Sequence, residues 1–134
     1  MKKKILILGI SGMLGNAMFT LFNKNNYHFN TYGTLKNKKK LKYFLKNKKK
    51  IFIGYDVNNF DKINSLIFKL KPDYVINCIG SIKQKKYSLE DYLSINSYFP
   101  NKLNLSCIKY KSKMIHFSTD CVFNGKFGNR FESN

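Results

Sequence analysis

Acidic residues are scarce in this chain, and arginine is nearly absent. Against 25 lysines and arginines stand seven aspartates and glutamates, giving a formal charge of +18. Such a charge invites a polyanionic partner, because each phosphate neutralised by a cation releases counterions. The distribution argues against it. Nine of the basic residues lie within residues 36–50, a stretch with no acid, and the rest are mostly scattered lysines. Base-edge readout and bidentate phosphate clamps favour the planar fork of arginine, and Arg130 is the only one. The lysines read as a solvated surface, and nucleic acid is not an expected partner.

Cysteine is also sparse. Cys78, Cys107 and Cys121 are odd in number and share no CxxC or metal-like spacing with His28 or His116, so neither a disulfide framework nor a metal site is expected. No apolar run approaches the roughly 20 residues that span a bilayer. The basic residues 2–4 precede a short apolar run, but Gly9, Ser11, Gly12 and Gly15 interrupt it and no small-residue cleavage site follows. A cytoplasmic protein without membrane contact is the expectation.

What is present suits one domain. Of the 134 residues 43% are hydrophobic, including 12 Phe and 9 Tyr, enough apolar surface to offset the entropy of ordering a single core. Residues 5–8 form a continuous apolar run ending on Gly9, as expected of a strand buried on both faces. From Leu14 the apolar positions Leu14, Met18, Leu21 and Phe22 then recur at helical spacing. Further strands are expected at 29–34, 51–57, 74–80 and 114–118.

Residues 35–50 read as a solvated connection, with Leu41, Tyr43, Phe44 and Leu45 supporting at most a short, poorly anchored helix. Asn58 or Asn59 can cap a helix whose inner face is Phe60, Ile63, Ile67 and Leu70, and Pro72 stops it. Ser88 with Asp91 has capping-box spacing for the next helix; at Pro100 that helix either kinks or gives way to a new one. Strands alternating with helices, each strand apolar on both faces, predict an α/β fold: a Rossmann-type doubly wound parallel sheet of about five strands with helices on both faces.

The strongest motif is Gly9-Ile10-Ser11-Gly12-Met13-Leu14-Gly15, directly after the first strand and opening the first helix. Gly9 permits a tight turn, Gly12 lets a pyrophosphate approach the backbone, and Gly15 lets the helix press on the sheet. The helix N-terminus offers free N–H groups to the phosphates. Ser11, Met13 and Leu14 belong to the same cradle. A glycine turn without a ligand is the alternative.

After the second strand the chain reads Tyr32-Gly33-Thr34-Leu35-Lys36, with no acid for ribose hydroxyls. Lys36 can instead pair with a 2′-phosphate, favouring NADP over NAD, or it simply begins the lysine run. At the carboxyl ends of strands three and four, Asp56 and Val57, then Cys78, Ile79 and Gly80, are positioned to flank adenine and ribose. Asp56 has an equal alternative beside a helix cap, and Cys78 reads as a small buried residue.

The GxxGxxG spacing matches the variant of short-chain reductases, and the last part of the chain sharpens the likeness. Ser118-Thr119-Asp120-Cys121-Val122-Phe123-Asn124-Gly125, with Asn77-Cys78-Ile79-Gly80 and the glycine turn, resembles the dTDP-4-dehydrorhamnose reductase family of extended short-chain reductases and related nucleotide-sugar reductases. Asn77 through Gln84 resembles the subgroup of sugar-nucleotide reductases. The resemblance implies NADPH-dependent reduction of a 4-keto nucleotide sugar. It gives Thr119 the catalytic hydrogen bond to the substrate carbonyl, with Asp120 beside it at the substrate, against the alternative of a loop-initiating pair.

The family's catalytic Tyr-x-x-x-Lys is expected shortly after Asn134. The chain is therefore expected to be the NAD(P)-binding part of a longer or split protein, without the substrate-binding C-terminal portion and inactive alone. A homodimer or a separate C-terminal half is the expected protein partner.

Overall fold

The computed structural model describes residues 2–24, 29–81 and 88–117. Five strands, β1 (Lys3–Leu8), β2 (Phe29–Leu35), β3 (Ile51–Ile53), β4 (Tyr74–Asn77) and β5 (Lys113–His116), form one parallel sheet in the order β3-β2-β1-β4-β5. The helices are α1 (Met13–Phe22), α2 (Phe60–Leu70), α3 (Leu89–Leu93) and α4 (Phe99–Lys109). The doubly wound Rossmann-type architecture expected from the sequence is what forms.

Alternation along β1 explains why both faces are covered. Leu6 and Leu8 point into a core built with Ile63, Leu66 and Ile67 of α2 and Phe99, Leu103 and Cys107 of α4. Ile5 and Ile7 point the other way, into a core with Ile10, Phe19 of α1, Leu35, Phe44, Ile51 and Ile76. A strand apolar at every position can satisfy two layers only from the middle of a parallel sheet.

Several expected boundaries shift, each for a local reason. The third strand ends at Ile53 rather than residue 57. Gly54 follows with φ +80, and its N–H and that of Tyr55 both donate to the Leu35 carbonyl (2.9 and 3.2 Å), turning the chain off the edge. The fourth ends at Asn77 because its Oδ1 accepts the Ile79 N–H at 3.1 Å, closing a side-chain turn where residues 78–80 were expected to continue the strand. The fifth ends at His116, and residue 118 of its expected span lies outside the described residues.

The inner face of α1 is Gly15 and Phe19 flanked by Met18 and Phe22, while Leu14 and Leu21 are exposed. The i, i+3, i+4, i+7 set starts one residue later than the apolar pattern suggests, because glycine is silent in such a pattern.

The lysine-rich connection is not loosely held. Residues Lys38–Lys50 form 3₁₀ turns, started by Asn37, whose side chain accepts the Lys39 N–H, and kinked at Phe44 and Asn47. Phe44 is buried and meets Phe19 edge-to-face at 5.7 Å, so one aromatic anchors the segment while its lysines stay in water.

Caps follow expectation in two places. Asn59 accepts the Lys62 N–H at the start of α2, and Ser88 and Asp91 form a reciprocal capping box. Lys71 ends α2 in the left-handed region (φ 48) just before Pro72. At Pro100 a single π-helical turn, Ser94–Tyr98, runs directly into α4, the backbone staying helical across Tyr98 and Phe99 with the proline in the first turn of α4.

Candidate functional site

Order in the sheet fixes where a ligand can sit. β1 has β2 on one side and β4 on the other, and the chain order reverses there, so the crevice outside the carboxyl ends opens between β1 and β4. The glycine turn lies there. Gly9 has φ +80, and its N–H donates to Thr34 Oγ1 at 3.1 Å; the next N–H, of Ile10, donates to the Thr34 carbonyl at 3.1 Å. Thr34, buried near the end of β2, therefore clamps the turn to its neighbour strand. It carries no sequence signal beyond being a polar residue in an apolar strand.

The three glycines differ in what demands them. A Cβ on Gly15 would overlap the Gly9 carbonyl, so α1 can lie this close only with hydrogen there. A Cβ on Gly9 would meet Ile79 Cγ1 at 2.8 Å, which brings the glycine turn against the β4 turn. Gly12 is under neither constraint. It is exposed, with φ −78 and ψ 163, and a Cβ there would meet only the Gly9 oxygen at 3.5 Å. As the N-cap of α1 it offers no side-chain hydrogen bond, and the first turn holds no acid. The start of α1 thus presents main-chain N–H groups over a glycine the fold does not require, an arrangement that fits a bound pyrophosphate.

Around this turn, Ser11, Gly12 and Leu14 are exposed, and Met13 is 93% exposed. On the β4 side the Cys78 N–H donates to the Leu8 carbonyl at 3.1 Å, holding the two strand ends in register. Cys78 and Ile79 pack on opposite cores, and Gly80 is exposed. Burial pushes the Cys78 thiol up to about 11, as it does Cys107, so neither is a nucleophile near neutral pH.

Asn77, read in the sequence only as part of the Asn77–Gly80 segment, is 1% exposed and carries two jobs: its Oδ1 holds the Ile79 N–H, leaving Nδ2 facing His116 Nδ1 at 3.2 Å. Asn96, in the π-helical turn, grips Ser81 twice, accepting its N–H at 2.8 Å and donating to its carbonyl at 2.9 Å. Both residues fix the β4 loop, and neither belongs to a motif that spacing alone reveals.

On the other side, Lys36 and Asp56 come together. Lys36 follows β2, Asp56 follows β3, and their Nζ–Oδ2 separation is 2.5 Å. Burial disfavours the Asp56 charge, yet the hydrogen bond and charge of Lys36 and the N–H groups of Asn58 and Val57 outweigh it and hold its pKa below the ordinary carboxylate value. Val57 packs half-buried on the α2 core.

Thr119 and Asp120 lie outside the described residues. A Tyr-x-x-x-Lys spacing does occur twice within the chain, at Tyr32/Lys36 and Tyr98/Lys102, which corrects the expectation that no tyrosine here has a lysine four places later. Neither pair is built for acid catalysis. Tyr32 is a strand residue stacked on Phe52, with Lys36 bound to Asp56. Lys102 Nζ lies over the rings of Phe60 and Tyr98 at 4.8 and 5.2 Å, a packing arrangement between α2 and α4.

Among the described residues no cluster of His, Cys, Asp and Glu could hold a metal ion, and no helix is long and apolar enough to cross a membrane.

Sheet order, glycine turn and uncapped helix define a dinucleotide-binding α/β protein. The chain belongs to the NAD dependent epimerase/dehydratase family, whose sequence profile matches residues 5–133. It is 32% identical over 76 residues to dTDP-4-dehydrorhamnose reductase of Aggregatibacter actinomycetemcomitans, covering 55% of this chain and 26% of that protein. It is 32% identical over 133 residues to the bifunctional polymyxin resistance protein ArnA of Wigglesworthia glossinidia brevipalpis, covering 90% of this chain and 18% of that one. The chain thus spans about a quarter or less of the curated relatives it matches.

Among solved structures, ADP-L-glycero-D-manno-heptose-6-epimerase of Helicobacter pylori superposes with TM-score 0.82 at 19% identity, over 98% of this chain and 44% of that one. dTDP-4-dehydrorhamnose reductase of Bacillus anthracis, in complex with NADP, gives TM-score 0.69 at 22% identity over 96% and 40%. The enzyme WbmH of Bordetella bronchiseptica, in complex with NAD+, gives 0.75 at 20% identity over 94% and 42%.

Proposed function

We propose that these residues form the cofactor-binding domain of a nucleotide-sugar reductase that uses NADPH in preference to NADH. The carrying observation is Gly12: exposed, conformationally ordinary, required by no neighbour, and placed at the uncapped start of α1. A position where the fold tolerates a side chain but the sequence supplies none is explained by a ligand that needs the space.

In this reading the N–H groups at the start of α1 hold the pyrophosphate, with Gly9, Ser11, Gly12, Met13, Leu14 and Gly15 around it. Lys36, Asp56 and Val57 flank the adenosine end, and Cys78, Ile79 and Gly80 line the crevice toward the nicotinamide. The bound dinucleotide would supply a hydride to a 4-keto sugar carried on a nucleoside diphosphate. Thr119 would donate a hydrogen bond to that ketone and Asp120 would lie beside the sugar. The likeness to the dTDP-4-dehydrorhamnose reductases supports this assignment. Proton delivery then falls to a Tyr-x-x-x-Lys pair that neither spacing within these residues provides, so the 134-residue chain alone binds cofactor without turning substrate over.

Replacing Gly12 with valine tests the reading. NADPH affinity should fall by at least about tenfold while the melting temperature stays within about 5 °C, since the fold has room for the side chain. Undiminished NADPH binding by the folded variant, or none by the parent chain, refutes the assignment. Reductase activity of the chain alone on a nucleotide-sugar ketone would refute its second part.

A further inference from the structure

The ion pair between Lys36 and Asp56 bears on which dinucleotide the site accepts. Lys36 is the first residue after β2, the place where a side chain meets either the 2′-hydroxyl or the 2′-phosphate of an adenosine ribose. Its side chain is 73% exposed and reaches out from the sheet, whereas the Asp56 carboxylate is 23% exposed and held by the turn after β3, where Asp56 Oδ1 accepts the Asn58 N–H at 3.3 Å. The carboxylate is the member held by its own turn, and the ammonium is the one that reaches into solvent.

We infer that Asp56 limits the preference for NADP by occupying Lys36, the first cation after β2, so that a 2′-phosphate must draw Lys36 away from a carboxylate before it can pair with it. The inference rests on the dinucleotide reading above. A doubly charged phosphate competes with a single carboxylate for the same Nζ, and while it does so Asp56 repels it as well. Both effects disappear when the aspartate loses its charge. A 2′-hydroxyl carries no charge and feels neither. Asp56 therefore acts through Lys36 as a selectivity-setting residue, compressing the difference between two cofactors that Lys36 alone would separate widely.

The test is a set of titrations of the whole chain with NADPH and with NADH, read as the ratio of the two dissociation constants. Asp56→Asn keeps the size and the Asn58 contact while removing the charge, and should move the ratio toward NADPH by about three- to tenfold, the range of partly exposed charge pairs. Lys36→Met should move it toward NADH by a similar factor, and in the Lys36→Met background Asp56→Asn should give a clearly smaller shift, the part that direct repulsion alone supplies. Raising salt should shrink each of these shifts. If Asp56→Asn weakens both dinucleotides in parallel, or shifts the ratio equally with and without Lys36, then Asp56 acts on the cofactor directly and the inference is overturned. If the parent chain binds neither dinucleotide, it is the underlying reading that fails.

Discussion

The sheet has two unlike sides about β1. Toward β2 and β3, strand ends are tied to one another: Thr34 to the glycine turn, Leu35 to Gly54 and Tyr55, Lys36 to Asp56, with Phe44 closing the layer beneath. Toward β4 and β5 the α2 and α4 face is closed, with Val75 and Leu103 fully buried, but β5 itself is poorly covered. Ile115 and Phe117 are each 42% exposed, while β1 from Ile5 to Leu8 is 0–3% exposed. A groove of about 400 Å³, lined by Asn96, Ser97, Pro100, Asn101, Asn104, Met114 and His116, runs between α4 and β5 and touches none of the glycine-turn residues. The β2–β3 side is packed by its own residues. Among the described residues, the β5 edge is not.

That contrast can be broken most directly by truncating one side chain on each side. Leu6→Ala in β1 empties space in a core with no freedom to collapse and should cost about 2–5 kcal/mol of unfolding free energy. Ile115→Ala in β5 should cost less than about 1 kcal/mol, because much of the side chain already meets water. Urea denaturation followed by circular dichroism reads both, and equal losses would mean that β5 is covered as fully as β1.

The glycines sharpen the contrast within one turn. Gly15→Ala drives a methyl into the Gly9 carbonyl and should cost about 1–3 kcal/mol, whereas Gly12→Ala should cost less than about 1 kcal/mol. A Gly12 variant that unfolds would make that glycine structural and remove the argument for a ligand.

Legibility in the sequence follows the same division. Alternating strands and helices, the glycine turn, the α2 cap at Asn59 and the Ser88–Asp91 box could be read because each is a local pattern with a local cause. What escaped depended on partners distant in the chain. Phe44 anchors a lysine-rich segment only because Phe19 waits beneath it, 25 residues earlier. Lys36 could be placed directly after β2 from the sequence, but nothing local says that Asp56 would reach it. The α1 face was misjudged by one residue because Gly15, the closest approach of helix to sheet, has no apolar side chain to count. Asn77 was legible as part of its motif but its role was not, because its partner His116 lies 39 residues on, in a different strand.

Asn77 sets the next prediction. Asn77→Ala strands the Ile79 N–H and removes the Nδ2 contact to His116, and should cost about 1–2 kcal/mol. Because Ile79 packs against Gly9, the loss should reach the glycine turn and show as faster hydrogen exchange at Gly9 and Ile10, not only in β4 and β5. Exchange confined to the β4–β5 side would show that the two sides are mechanically separate.

The smallest effect is the one most specific to the β2–β3 side. Folding lowers the pKa of Asp56, so the native state binds that proton less tightly than the unfolded chain does. Its contribution is therefore complete above the unfolded value of about 3.9, and it is lost as pH falls through the lower folded value. The pair is partly exposed and Lys36 mostly so, which limits the contribution to less than about 1 kcal/mol. Comparing the parent chain with Asp56→Asn, the stability difference should be constant from pH 7 down to about 5 and shrink below about 4. Lys36→Met should remove part of it at neutral pH, because the Asn58 and Val57 N–H groups still favour the carboxylate when the ammonium is gone. A difference that instead grew on acidification would mean that burial, not Lys36, governs this carboxylate, and the β2–β3 side would lose the electrostatic tie that distinguishes it from the other.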